Sequence, residues 1–291
     1  MALQSSGAIS LNEIHIEAGG SSGTQASIND SDIRALISKS SSVQMSFNEW
    51  YGASAGVTVT LSSNASNQSV STLFGSDFSA NVAKILIINS GVEIGSTSTN
   101  NSGLSVPSGM GGTLNIQNAG TISGAGGAGG SSGAGGNGET ALFIGSNNVT
   151  VTNTGTIRGG GGGGGRGANG SAGTTTSYGS ALTCFGGSAG SGGAGGNGQG
   201  FNQSQSNGSG GGGGGSKFAV PSAGAAFCDA LNAYSNGTGG SSGGNGGTYG
   251  NAGSQGGGGG SAGGSAGKYI KLGSGISYSL SNSGTLLGNA P

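Results

Sequence analysis

The chain has 291 residues, of which 74 are Gly, with 31% apolar and only 6% charged residues. A typical soluble domain is about 25% charged and about 45–50% apolar counted with Gly, so a large close-packed apolar core is excluded for most of this chain. Eight basic residues against nine acidic ones disfavour a nucleic-acid partner, and three prolines, Pro107, Pro221 and Pro291, exclude collagen.

The N-terminal stretch Met1–Gly7 has no basic start and no long apolar run, so the expectation is synthesis and assembly in a cytoplasm. Residues 1–53 read as a small module with three short helical turns. Ser10 and Glu13 have the spacing of a capping box, and Ser46 and Glu49 repeat it just before Trp50 and Tyr51. Between them, Asn29 or Asp30 can cap a turn carrying Ile33, Leu36 and Ile37 on one face. Turns this short bury little area alone, so the module is expected to dock on another protein or to pack in an oligomer. Its candidate docking residues are Ile14, Ile33, Leu36, Phe47, Trp50 and Tyr51.

Residues 54–123 read as a β-scaffold. Val57, Val59 and Leu61 alternate with Thr58 and Thr60, and a second strand is expected over 85–89. An internal repeat then appears: Leu114 to Gly124, Val149 to Gly159 and Tyr278 to Gly288 each place two apolar residues at alternate positions, then Asn-X-Gly, then a β-branched residue. Ile85 to Val92 is a degenerate earlier copy. A strand, a tight turn and a second short strand fit each copy, and stacked copies form a layer or solenoid. The last two copies lie so far apart that a long excursion must leave this scaffold and return. The third region is therefore drawn as 124–291, a glycine-rich domain with returning β-repeats.

Fifty-six of the 74 glycines lie between Gly124 and Gly267. Many keep a spacing of three, as in Gly124, Gly127, Gly130, Gly133 and Gly136, or Gly161, Gly164, Gly167, Gly170 and Gly173. Three residues per turn is the period of the extended left-handed helix, which has no internal hydrogen bonds. Its backbone groups point sideways and need partners, and Gly lets backbones approach closely enough to supply them. The expected fold is mainly β with a polyglycine II helix bundle and a small N-terminal module of short helices. A flexible Gly/Ser linker is the competing reading.

Chemistry-bearing motifs are scarce. Gly267-Lys268 is followed by Tyr269, and the position a phosphate-binding loop needs as Gly is Ala262. The single His15 has no Cys or second His beside it for a metal, and Glu139 and Asp229 are the only acids within the glycine-rich stretch. Neither enzyme activity nor a cofactor is expected. Sequons at Asn64, Asn148 and Asn236 follow from composition. Three segments break the glycine runs, at 174–185, 199–207 and 217–234. They carry Tyr178, Leu182, Phe185, Phe201, Phe218, Val220, Phe227, Leu231 and Tyr234. On a rigid bundle these become end loops, either a binding tip or a cap core. Tyr178, Phe185, Phe201, Phe218, Phe227 and Tyr234 are the candidate binding residues. Cys184 and Cys228 either pair or are two unrelated thiols.

The head residues Ile9-Ser10-Leu11-Asn12-Glu13-Ile14, Ile28 to Leu36 and Met45 to Gly52 resemble an N-terminal module of virion and tail proteins of tailed bacteriophages, most of all marine and cyanobacterial ones. The glycine-rich remainder resembles phage tail-fibre tip adhesins built on polyglycine helices. The first resemblance implies a docking end, with other phage tail or virion proteins as partners and a location in the virion tail. The second implies loops that recognise a host surface glycan or outer-membrane protein, and a homo-trimer. The alternatives are a purely structural virion component, such as a decoration protein or fibre connector, an ice-binding protein, and a cell-surface fibre.

Overall fold

The computed structural model describes residues 3–37, 39–41 and 43–291. In the head, the Ser10 hydroxyl accepts from the Glu13 amide and the Glu13 carboxylate accepts from the Ser10 amide, which starts the helix Leu11–Glu17. The hydrogen bond from the Ser10 amide, then that from its hydroxyl, holds the Glu13 carboxyl below its ordinary pKa. Ser46 and Glu49 make the second box at a single 3-10 turn, Phe47–Trp50. Between them lies Ser31–Ala35. Asp30 sits at its N-cap, but its carboxylate accepts from the Ser27 amide instead of capping the helix. Buried Arg34 closes the next loop by donating to Asn29 Oδ1, the Ser40 carbonyl and the Val43 carbonyl. Ile14, Ile33 and Trp50 form a core belonging to the head alone, with Trp50 Nε1 donating to the Ile33 carbonyl at 3.2 Å.

Alternating apolar residues build the next layer because a strand sends successive side chains to opposite faces. The strands Val57–Leu61, Ala83–Ile88, Thr113–Asn118, Val149–Asn153 and Tyr278–Asn282 pair in that order, all parallel. A second parallel face runs Ala65–Ser66, Glu93–Gly95, Thr121–Ser123, Thr156–Arg158 and Thr285–Leu287. A third runs Gln68–Ser69, Leu104–Val106, Leu142–Ile144 and Ile270–Leu272. The chain visits the faces in turn, so it winds as a three-sided parallel solenoid. Its interior holds Leu86, Ile88, Ile94, Leu104, Leu114, Ile116, Ile122, Leu142, Val151 and Ile157, all nearly inaccessible to solvent.

The Asn of the repeat has a role inside this solenoid. Asn118 Nδ2 donates to Asn153 Oδ1 at 2.7 Å, and Asn153 Nδ2 donates to Asn282 Oδ1 at 2.7 Å. The ladder pairs buried amides that would otherwise destabilise the fold, leaving Asn118 Oδ1 at its start without a hydrogen-bond partner. It stops at Asn118, because the partner of Asn118 in the preceding turn is Ile88, not Asn89. The early copy is thus displaced by one residue from the expected alignment, and its strand ends at Ile88. Burial of Lys84, Leu86 and Ile88 sets this register, since a one-residue slip would turn them outward. Lys84 is kept inside by donating to the carbonyls of Ala80, Val82 and Gly111. Burial pushes its pKa down, and the Asp77 charge opposes that shift.

The glycine-rich chain leaves the solenoid twice, each time between the second and third faces. Residues 124–141 go out and return, and 159–269 do so repeatedly. The segment from 159 to 173 lies at the centre. Amides of Gly160, Gly163 and Arg166 donate to the carbonyls of Glu139, Gly136 and Gly133. Those of Gly161, Gly164 and Gly167 donate to Gln199, Gly196 and Gly193, and those of Gly162, Gly165 and Ala168 to Asn251, Ser254 and Gly257. In return, the Arg158 carbonyl just before this segment accepts from Gly124, and carbonyls of the segment accept from Gly127 and Gly130, from Gly247, Gly244 and Ser241, and from Gly267, Gly264 and Ser261. Donors aimed at one neighbour therefore recur every third residue, and six extended segments surround the seventh. An outer segment, 206–216, is held by Ser206, Ser209, Gly212 and Gly215 donating to Asn197, Ala194, Ser191 and Ser188.

Candidate functional site

Each pass through the glycine array reverses direction, so successive breaks fall at alternate ends. The passes 159–173 and 206–216 run away from the solenoid, and 186–200 and 235–248 return to it. The breaks at 174–185 and 217–234 therefore meet at the far end, and the break near 201 comes back to the solenoid.

At the far end, Thr176–Tyr178, Leu182–Phe185 and Phe218–Val220 make a three-stranded antiparallel sheet. The short helix Ala225–Ala230 packs on it, and a Cys184–Cys228 disulfide joins the two loops. Both cysteines are buried with Ala219, Ala233 and Tyr234 in a small core. Tyr234 donates its hydroxyl to the Ala225 carbonyl at 3.2 Å. Lys217 lies 4.5 Å above the Tyr234 ring and pairs with Asp229. That hydrogen bond to Asp229 raises the Lys217 pKa. Phe185 stacks on Phe218 at 4.9 Å between centroids, and Tyr178 meets Phe227 edge-on at 5.3 Å.

Around this core lies an exposed apolar surface. Among the described residues nine large apolar side chains are exposed. Five of them, Tyr178, Phe218, Val220, Phe227 and Leu231, sit on these two loops, four being half exposed or more. Covering the exposed half of one such side chain with a partner is worth about 1 kcal/mol. Of the six expected binding residues, Tyr178, Phe218 and Phe227 are on this surface, Phe185 is half-buried beside Phe218 on the same face of the sheet, and Tyr234 is buried in the core that supports it. Val220 and Leu231 belong to the surface as well. Both are aliphatic, and their place in the same break as Phe218 and Phe227 is the sequence signal for them.

Phe201 is elsewhere. Its ring lies against the backbone of Gly95 in the solenoid, where a Cβ on Gly95 would fall 1.9 Å from the ring. Close by, Arg158 covers the Tyr249 ring at 3.7 Å and pairs with Glu93 at 2.8 Å, locking the array to the solenoid.

The expected docking residues also divide. Ile14, Ile33 and Trp50 are buried in the head's own core, so they shape the module without reaching its surface. Leu36 and Tyr51 are half-buried, while Phe47 is exposed, as are Ile16 and Val43. Among the described residues no cluster of three or more His, Cys, Asp or Glu could hold a metal, and no helix is long and apolar enough to cross a membrane.

Comparison with known proteins places this geometry. The family profile described as "Phage tail fibre adhesin Gp38" matches residues 56–291, the solenoid and the whole glycine array but not the head. The complete chain also shares its fold with a chain in the crystal structure of the gp37–gp38 adhesin tip complex of the bacteriophage S16 long tail fibre. The TM-score is 0.62 at 20% sequence identity, covering 100% of both chains. No curated protein sequence matches the chain.

Proposed function

Because the chain belongs to the phage tail fibre adhesin Gp38 family and is thus a tail-fibre adhesin, we propose that it contacts the host surface through the far-end loops. The observation that carries this reading is the disulfide-joined apolar surface of Tyr178, Phe218, Val220, Phe227 and Leu231. Such aromatic and aliphatic anchors on a rigid scaffold are the usual source of binding energy in protein recognition. Their partner is an outer-membrane protein or glycan of the host, met by burial and stacking with little charge involved.

In this reading the glycine array is a polyglycine II bundle. Its support is the recurrence of donors every third residue along 160–168 and the six neighbours of that segment. The bundle is a stiff spacer: backbone hydrogen bonds replace side-chain packing, so the loops are held at a fixed distance from the solenoid. The head, with exposed Ile16, Val43 and Phe47, is the end that docks on another tail protein. The neighbouring phage S16 structure, titled as a gp37–gp38 complex, supports a tail-protein partner by analogy.

The test is binding of the purified full chain to cells of the bacterium the phage infects. Phe218→Ser with Phe227→Ser is expected to reduce cell binding at least tenfold while the melting temperature stays unchanged. Undiminished binding by that variant overturns the assignment of the far-end loops.

A further inference from the structure

A groove runs along the flank of the molecule at the junction of solenoid and glycine array, at the opposite end from the far loops. It consists of two adjoining hollows of about 650 Å³ and about 680 Å³ that share Thr99 and Glu139. Hollows of roughly 300–1,000 Å³ have the size of small-ligand sites. One hollow continues past Asn137 and Asn197, and the other past Asn100, Asn101, Phe143 and Lys271.

The loop that forms one wall is fixed without a ligand. Asn67 Nδ2 donates to Thr97 Oγ1 at 2.6 Å, and Asn67 Oδ1 accepts from the Thr97 amide at 3.1 Å. Ser96 Oγ donates to the Ser98 carbonyl at 2.6 Å and lies within reach of the Asn101 carbonyl. The opposite wall is equally fixed, since the Glu139 amide donates to the Ala125 carbonyl and its carbonyl accepts from Gly160. Preorganised walls lower the entropy cost of binding.

The lining chemistry selects a class of ligand. Side-chain amides and hydroxyls donate and accept equally well, as a polyhydroxylated molecule requires. The Glu139 carboxylate at the waist can accept from vicinal hydroxyls through one oxygen while the other holds the Thr140 amide at 2.8 Å. Half-buried Phe143 lines the groove and gives the C–H side of a sugar an apolar surface to pack on. Lys271 is balanced by Glu139, which disfavours an anion, and the amide-rich walls disfavour an apolar ligand. We propose that this groove is a second, lateral binding site for a neutral oligosaccharide. It is separate from the far-end loops and does not depend on what they bind.

The test is calorimetric titration of the full chain with maltohexaose, mannotetraose and N,N′,N″,N‴-tetraacetylchitotetraose. Saturable binding of at least one sugar, with a Kd of about 1 mM or tighter, is expected. Glu139→Gln and Asn100→Ala, which leave the backbone anchors in place, are each expected to weaken it roughly tenfold, the effect of one lost charged or neutral hydrogen bond. Phe227→Ala at the far end is expected to leave it unchanged. Failure of all three sugars to saturate overturns the proposal. So does binding insensitive to both groove substitutions in variants with unchanged melting, or displacement of the sugar by inorganic phosphate.

Discussion

Glycine in this chain acts by what a side chain would strike. A Cβ on Gly163 would lie 2.0 Å from the Ala128 carbonyl oxygen, and one on Gly160 only 1.7 Å from that of Ala125. Both positions belong to the central segment, where a Cβ on any residue from 159 to 165 would strike a neighbouring backbone, while Arg166 and Ala168 beyond it carry half-buried side chains. The unbroken run Gly159 to Gly165 follows from this, since six neighbours leave no outward face. Gly210 and Gly213 sit in a run that reads the same, yet nothing lies within 4 Å of an added Cβ there. Gly163→Ala is expected to destabilise the protein by more than about 3 kcal/mol, because the clash is with backbone that cannot move aside. Gly210→Ala is expected to stay within about 0.5 kcal/mol of the parent. Thermal unfolding of the two variants side by side checks the contrast, and equal losses would show that the array is not close-packed around 159–173.

Elements are arranged here by direction reversal. Three breaks in the glycine runs look alike in sequence, each carrying aromatics. An out-and-back path sends the first and third to one end and the second to the other, which is why Phe201 parts company with Phe218 and Phe227. Counting the passes from the solenoid would have given that result, because a chain leaving and rejoining one corner must alternate. The Asn-X-Gly repeat was equally readable as strand, turn and strand. The one-residue displacement of its earliest copy was not, because Asn89 mimics the Asn of the later copies while the core selects Ile88. At the far end the two loops are joined by the pairing of Leu182–Phe185 with Phe218–Val220 and, across a 44-residue separation, by the Cys184–Cys228 disulfide. A disulfide commonly contributes about 2–4 kcal/mol, here to the local order of the loops. Replacing both cysteines by Ser is expected to make 174–185 and 217–234 the first sites of limited proteolysis and to lower cell binding, with the main unfolding transition little changed. Proteolysis confined to other segments would show that the loops hold their shape unaided.

For the molecule as a whole, the solenoid core and the head core do separate work. The solenoid core includes Leu86, Ile116 and Val151, whereas the head core of Ile14, Ile33 and Trp50 is closed on itself. The family match begins at residue 56, where the head ends, whereas the fold match to the phage S16 tip chain extends over the head as well. Val43→Asp together with Phe47→Asp, both at exposed positions, is expected to stop incorporation into phage particles while the purified chain still binds cells. Particle assembly followed by immunoblotting reads the first effect and a cell pull-down the second. Loss of both would mean that the head also supports the binding end.

The sequence by itself determined the kind of molecule this is. Few charges and few apolar residues left no room for an ordinary core, alternation and the Asn-X-Gly repeat specified a mainly β scaffold, and two capping boxes specified the short helices of the head. These are local signals, carried by spacing along the chain. Only the tertiary structure decided which aromatics share a surface, which glycines are surrounded, and that Thr99 and Glu139 face one groove. Those outcomes depend on which backbone lies beside which. In a chain where one residue in four lacks a side chain, the local sequence carries little record of its neighbours.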